Sequence, residues 1–411
     1  MAAPGDSAST VAVKDATPLI RQEYRPLARK LTVSPAAVPT TGNSFELIKT
    51  GQRFSELLYN DFRSAHSLIE LELFLFGQDK DGEEARDILF DKIDEGVEVR
   101  YTHDSFGNFF DNVFDGEPVF TGFYTNLSRG GFKLRDFSPF WRIDPTWCNP
   151  TWRNHRKIIV VDRETAYTGG MNITVGSISG WGDAMLRIKG PAVQSLRSVL
   201  LLNWNDLAVR KADKEVLTLT VEGTAEEGEG VVLQAVADGP DQPAFMMEEA
   251  LMWLLEHAHK YVWFETPYFL PDKPLIKALR DAVARGIDVK VIMSEVSDLP
   301  ALDPAYRSCL EECHRNGVRF FYRKPPFNHA KTFVCDDYIT SVGSTNMDKL
   351  SLLSLYEINV LIYDEASASA HRAYLEEVLD GAKEADQAYF DAWDGKERFL
   401  QSCYRIVSPF L

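Results

Sequence analysis

The chain has 411 residues, 45% hydrophobic and 12% aromatic, which describes a globular protein with a large core and two or three domains. Its net charge of −17 weighs against nucleic acid as the main partner, because such binding rests on Lys/Arg–phosphate contacts. No apolar run approaches the ~18–20 residues that span a bilayer, and no secretory leader pattern is visible.

Residues 1 to about 43 are rich in Ala, Pro, Ser and Thr and read as a mostly disordered tail. Within it, Arg21, Arg25, Arg29 and Lys30 face a single acid, Glu23; this is either a solvated patch or a contact for anionic lipid. The run 68–76 is strand-like, a helical pattern follows from Ile88 to Glu95, and Gly96–Val99 opens another strand. An aromatic interval comes next: Phe106, Phe109, Phe110, Phe114, Phe120, Phe123, Tyr124, Phe132, Phe137, Phe140, Trp141, Trp147 and Trp152. It reads as core over a sheet or as surface for acyl chains and the bilayer interface. Residues 211–230, with Glu222, Glu226, Glu227 and Glu229, read as a joint. The earlier pattern then repeats: a strand over 261–269, a helix from Leu275 to Ala284, and a strand opening at Gly286–Val289. Strands alternating with short helices predict an α/β sandwich with a largely parallel sheet in each half. Cys148, Cys309, Cys313, Cys335 and Cys403 are odd in number and scattered, which suits a reducing compartment. Cys309, Cys313 and His314 lack a second ligand cluster, so buried thiols are expected and no metal site.

One constellation occurs twice at identical spacing. His155, Lys157, Asp162, Gly169, Gly170 and Asn172 form the first copy, and His329, Lys331, Asp336, Gly343, Ser344 and Asn346 the second. Each Lys follows its His by two residues, each Asp follows its Lys by five, and each Asn follows its His by seventeen. The register continues: Asp183 and Glu357 each lie 28 residues beyond their histidine. Each HxK reads as part of a strand, where residues i and i+2 share a face, so imidazole and ammonium project side by side. The Gly pairs suit close backbone approach to a phosphate. Each Asn is placed to donate its amide to the same oxygens. Asp162 and Asp336 read as turn-fixing residues.

The doubled motif resembles the signature of the phospholipase D superfamily. The flanks Asn154-His155-Arg156-Lys157, 167–172, 190–193, 266–271, 285–289 and 408–411 look like those of bacterial cardiolipin synthases, and the resemblance covers roughly residues 44 to 411. It implies two homologous α/β sandwich halves, 44–210 and 231–411, packed with pseudo-two-fold symmetry and an active site at their interface. It implies His155 as the nucleophile that forms a phosphohistidine and His329 as general acid/base, and places Asp183 and Glu357 against the His of the opposite half. Lys157, Lys331, Asn172 and Asn346 would stabilise charge around phosphorus, with no metal and no cofactor.

The expected reaction is phosphatidyl transfer, with cardiolipin made from two phosphatidylglycerol molecules. Hydrolysis to phosphatidic acid is the alternative, and a nuclease of the same fold is disfavoured by the acidic charge. A non-catalytic binding module would normally carry a broken HxK. Partners would be phospholipids and the membrane surface, with a cytoplasmic, peripheral location. Many bacterial cardiolipin synthases carry N-terminal membrane-spanning helices and none is visible here, so the chain is either of a peripheral type or shortened.

Overall fold

The computed structural model describes residues 9–104, 106–107, 122–137, 152–207, 214–226, 228, 230–300 and 303–407. Nineteen strands occur among them. In the N-terminal part these are β1 (Ser9–Asp15), β2 (Thr40–Thr50), β3 (Leu68–Leu73), β4 (Glu98–Asp104), β5 (Lys133–Phe137), β6 (Ile158–Val161), β7 (Thr165–Gly169), β8 (Gly182–Lys189) and β9 (Leu217–Thr224). In the C-terminal part they are β10 (Val231–Asp238), β11 (Tyr261–Glu265), β12 (Phe269–Leu270), β13 (Asp288–Ser294), β14 (Arg319–Arg323), β15 (Thr332–Cys335), β16 (Ile339–Gly343), β17 (Met347–Asp348), β18 (Glu357–Tyr363) and β19 (Lys383–Glu384).

Fifteen strands form one sheet, in the order β19-β14-β13-β11-β15-β16-β18-β10-β2-β8-β7-β6-β3-β4-β5. Read outward from the antiparallel β10–β2 pair, the two arms repeat each other strand for strand, with β19 added at one edge. The fold is therefore α/β with two homologous halves, joined edge to edge. The expectation of a largely parallel sheet needs correction. Only the outer strands β3-β4-β5 and β11-β13-β14 are parallel, whereas β2, β6, β7 and β8 and their counterparts pair antiparallel. The reason is local. Each HxK strand returns through a tight hairpin, β6–β7 or β15–β16, and a hairpin can only be antiparallel.

Helices cover both faces. Gly51–Ser64 and Lys80–Asp94 bury Phe54, Leu58, Phe62, Ala85 and Leu89 against one face of the first arm. Thr50 and Asp79 cap their free N–H groups. Ala192–Asp206 lies on the other face and spans the join, packing Val193, Leu196 and Leu200 among Val160 and Leu186 of the first half and Leu233, Ile358 and Val360 of the second. In the second half, Lys273–Ala284, capped by Asp272, contributes Leu275 and Leu279 to the largest core cluster.

The segment expected to be a disordered tail is folded from residue 9. β1 pairs parallel with β9, and Ile20, Tyr24, Leu27, Ala28 and Leu31 are buried in the second-half core. Those positions follow helical i, i+4, i+7, i+8 spacing, a periodicity that the Pro- and Ala-rich composition masks. Gln234 ties the segment down by donating to the carbonyls of Ala28 and Ala37, at 2.9 and 2.8 Å. Three of the four residues of its basic patch are engaged within the protein. Arg21 pairs with Glu365, Lys30 with Glu249, and Arg25 donates to the carbonyls of Ile20 and Pro18. The described residues of the joint are also tied into the fold. Its strand β9 completes the pair with β1, and Glu215 bonds Arg197 and Arg100.

Of the aromatic interval, Phe123, Phe132 and Phe137 are buried, edge-on to Phe76, Phe90 and Tyr356, and Tyr124 stacks on His103. Core is thus the reading for these rings. Phe109, Phe110, Phe114, Phe120, Phe140, Trp141, Trp147, Cys148 and residues 408–411 lie outside the described residues. Cys309, Cys313 and Cys335 are buried free thiols.

Candidate active site

The two HxK segments do not lie on strands, as expected, but in the extended stretches leading into β6 and β15. Their backbone partners come from the other half. His155 N–H donates to Tyr356 C=O (2.9 Å), and Tyr356 N–H donates back to Arg153 C=O (2.9 Å). His329 N–H donates to Gly182 C=O (2.7 Å), and Gly182 N–H to Phe327 C=O (2.8 Å). These are one arrangement used twice, each position in the second copy standing 174 residues beyond its counterpart. Cross-half pairing takes the place of a sheet neighbour there, which is why the strands begin late. The extended geometry still puts His and Lys on one face.

These backbone bonds set two crossed side-chain pairs. His155 Nδ1 lies 2.9 and 3.0 Å from the Glu357 carboxylate oxygens, and His329 Nδ1 lies 2.9 Å from Asp183 Oδ2. Each imidazole is thus oriented by a carboxylate of the opposite half. Burial holds both histidines well below their ordinary pKa, reinforced by Lys157 and Lys331. A neutral imidazole whose Nδ1–H is committed to a carboxylate carries its lone pair on Nε2. Burial also lowers Lys157 to about 7 and Lys331 to about 8. It pushes the Asp183 and Glu357 carboxyls up, and both ammonium groups oppose that shift. Each ammonium donates to the carbonyl of its own motif's histidine, Lys157 to His155 at 2.8 Å and Lys331 to His329.

The remaining motif residues divide by task. Asn172 Oδ1 accepts from Leu75 N–H (3.2 Å), while Asn346 Nδ2 donates to Ser351 Oγ (3.1 Å), which uses one of the two hydrogens on that nitrogen. The Gly pairs were expected to admit a phosphate; the close approach they permit is to their own sheet. A Cβ on Gly170 would stand 2.1 Å from Asp183 Oδ1, one on Gly169 2.4 Å from Ala184 O, and one on Gly343 2.3 Å from Asn359 Cγ. Glycine therefore makes room for the strand that carries the orienting carboxylate. Ser344 Oγ bridges the Ile358 backbone, next to Glu357. Asp162 accepts from the amides of His66, Ser67 and Leu68, and Asp336 from those of His259, Lys260 and Tyr261. Both stand in turns of left-handed backbone, φ 52° at each, and latch the hairpin tip to the start of β3 or β11.

Sequence reasoning missed a buried layer beneath the histidines. Asn154 Nδ2 donates to Glu72 Oε1 (2.7 Å), which also accepts from Asn203 (2.6 Å). In the second half Asn328 Nδ2 donates to Glu265 Oε1 (2.9 Å), backed by Arg323 (3.2 Å). Burial raises Glu72 to about 7. The available signal was an acid inside two equivalent apolar strands, Leu71-Glu72-Leu73 and Phe264-Glu265-Thr266. Arg156, fully buried, donates to the Glu357 and Asp238 carbonyls; its counterpart is Ala330.

Doubled His–carboxylate pairs flanked by buried lysines, at the join of two homologous α/β halves, define an enzyme of the phospholipase D superfamily. Comparison with known proteins narrows this. A family model described as "cardiolipin synthase, PLD-like domain" matches residues 58–201 and 251–379, and the chain belongs to that family of phosphatidyltransferases. It is 29% identical to cardiolipin synthase 2 of Bacillus cereus over 375 residues, covering 89% of this chain and 70% of that one. It is 29% identical to the major cardiolipin synthase of Bacillus subtilis over 400 residues, covering 95% and 80%. The crystal structure of phosphatidylserine synthase from Haemophilus influenzae shares the fold, with a TM-score of 0.69 at 12% identity, over 95% of this chain and all of that one.

Proposed function

We propose that the protein joins two phosphatidylglycerol molecules into cardiolipin with release of glycerol, through a phosphohistidine. The crossed His–carboxylate geometry is the observation that carries this reading, because it supports two imidazoles with distinct tasks in one pocket. His155 Nε2 attacks phosphorus, forming the N–P bond, and the bond to the glycerol oxygen breaks. His329, carrying a proton on Nε2 at that stage, gives it to the leaving oxygen. The bound phosphodiester anion and Asp183 both favour that imidazolium. The acceptor hydroxyl then loses its proton to His329 Nε2, its oxygen bonds to phosphorus, and the N–P bond breaks to restore His155. Lys157 and Lys331 offset the charge that develops on the phosphoryl oxygens. Asn172 and Asn346 each add an amide donor, Asn346 through the hydrogen that Ser351 does not take.

The lipid substrates are met at the membrane surface. Among the described residues, no helix is long and apolar enough to cross a membrane. The test is incubation of the purified chain with phosphatidylglycerol in mixed micelles, with products identified by mass. Cardiolipin and free glycerol in equal amounts are expected. Phosphatidic acid as the main product would make the protein a phospholipase D instead, and no lipid product at all would remove the reading.

A further inference from the structure

The two histidines share a symmetry, but their flanks do not. Phe269 pairs with Met347 in the second half as Phe76 bridges Ile173 in the first, which fixes Tyr268 as the counterpart of Leu75. Beside His155 the Phe74 ring stands edge-on to the imidazole at 5.3 Å, followed in the chain by Leu75. Beside His329 the Tyr268 ring lies edge-on at 6.4 Å, and its hydroxyl donates to Asp298, 2.8 and 2.6 Å from the two carboxylate oxygens. Asp298 is only half-buried and interacts electrostatically with Lys331. Tyr306 backs Tyr268, and Trp181 and Phe327 complete the ring of aromatics around His329.

We propose that Tyr268 and Asp298 form the subsite for the polyol alcohol, the glycerol headgroup that leaves and the one that accepts. This rests on the phosphatidyl-transfer reading above and deepens it. A carboxylate accepts hydrogen bonds and a phenol both accepts and donates, which matches a group bearing several hydroxyls. An ammonium headgroup fits poorly. The Tyr268 and Tyr306 rings are stacked on each other at 4.8 Å and 19°, so their facing sides are covered and they form no open cage, and Lys331 already supplies a cation. The chemistry agrees with the placement. The alcohol that exchanges a proton with His329 must lie on that imidazole's side, and the diacylglycerol part falls toward Phe74 and Leu75.

The experiment supplies the full-length enzyme with phosphatidylglycerol in mixed micelles plus equal concentrations of deuterated glycerol, 1-propanol and ethanolamine. The readout is the ratio of labelled phosphatidylglycerol to phosphatidylpropanol. Wild type should favour glycerol, and Asp298→Asn and Tyr268→Phe should each lower the ratio about tenfold or more, since each weakens hydrogen bonds that propanol never makes in full. Tyr268→Phe removes one hydroxyl and decides the matter if Asp298→Asn does not fold. An unchanged ratio, or an equal fall in both products, overturns the subsite. Preference of the wild type for ethanolamine over glycerol overturns it in favour of a cation site. Absence of every transfer product in the wild type removes phosphatidyl transfer itself, and the subsite with it.

Discussion

A buried imidazole serves as a nucleophile only while its Nε2 lone pair is bare, and its tautomer depends on what holds Nδ1. Asp183→Asn and Glu357→Gln leave the shape and remove the charge. Turnover should fall by about 10²-fold or more in each, as when a catalytic imidazole loses its anionic partner; steady-state kcat beside an unchanged melting curve checks this, and near-normal kcat in both would strip the carboxylates of the orienting role. His155→Ala should form no phosphohistidine, while His329→Ala should form it more slowly and trap it once the first alcohol has left; rapid alkaline quench and intact mass read both, and phosphate found on His329 would exchange the two roles. The lysines set the pH response. With Lys157 near 7 and Lys331 near 8, rising pH strips their protons and the positive charge that receives the phosphodiester. So kcat/KM should decline from about pH 7 upward. The same limb in kcat should sit at higher pH, because a bound anion raises both lysines. A kcat/KM that stays flat to pH 9 would contradict it.

At the scale of elements, each HxK segment and the hairpin it leads into are clamped at two ends. At the tip, Asp162 and Asp336 each collect three backbone amides of the neighbouring strand. Asp162→Ala takes a charged acceptor from three backbone amides, of which those of His66 and Ser67 are open to water, and should cost about 1 kcal/mol of stability, seen as an earlier thermal transition. At the base, Asn154 and Asn328 anchor the histidine segments to Glu72 and Glu265. Asn154→Ala takes one of two donors from a buried carboxylate, and both stability and kcat should drop; a change in stability alone would show that this layer supports the fold without placing His155.

For the molecule as a whole, the halves share a continuous sheet and one core cluster, with Ala192–Asp206 packed across the join. The N-terminal segment is part of that body. Removing residues 1–31 uncovers apolar surface that Ile20, Tyr24, Leu27, Ala28 and Leu31 now cover. The truncated chain should melt markedly earlier or aggregate on expression; equal melting temperatures would make the segment dispensable.

Much of this was legible in one dimension. The histidines, lysines and carboxylates are visible because a repeat at fixed spacing can be recognised without a structure, and the α/β class follows from alternating hydrophobic periods. The turn role of Asp162 and Asp336 follows from their place between two strand-like runs. What the chain order could not convey is which groups meet across the sheet. That Glu72 lies under Asn154, that glycine at 170 serves the Asp183 carboxylate, and that Tyr268 rather than a leucine flanks His329 all depend on how two strands register against each other. The ordered N-terminus was hidden for a related reason: its weak helical stripe gains a reason to fold only from the second-half core it covers, and that surface is assembled by residues more than two hundred positions away. Local pattern specifies elements; contact between distant elements decides which buried charges are paired and which face of a pocket is polar.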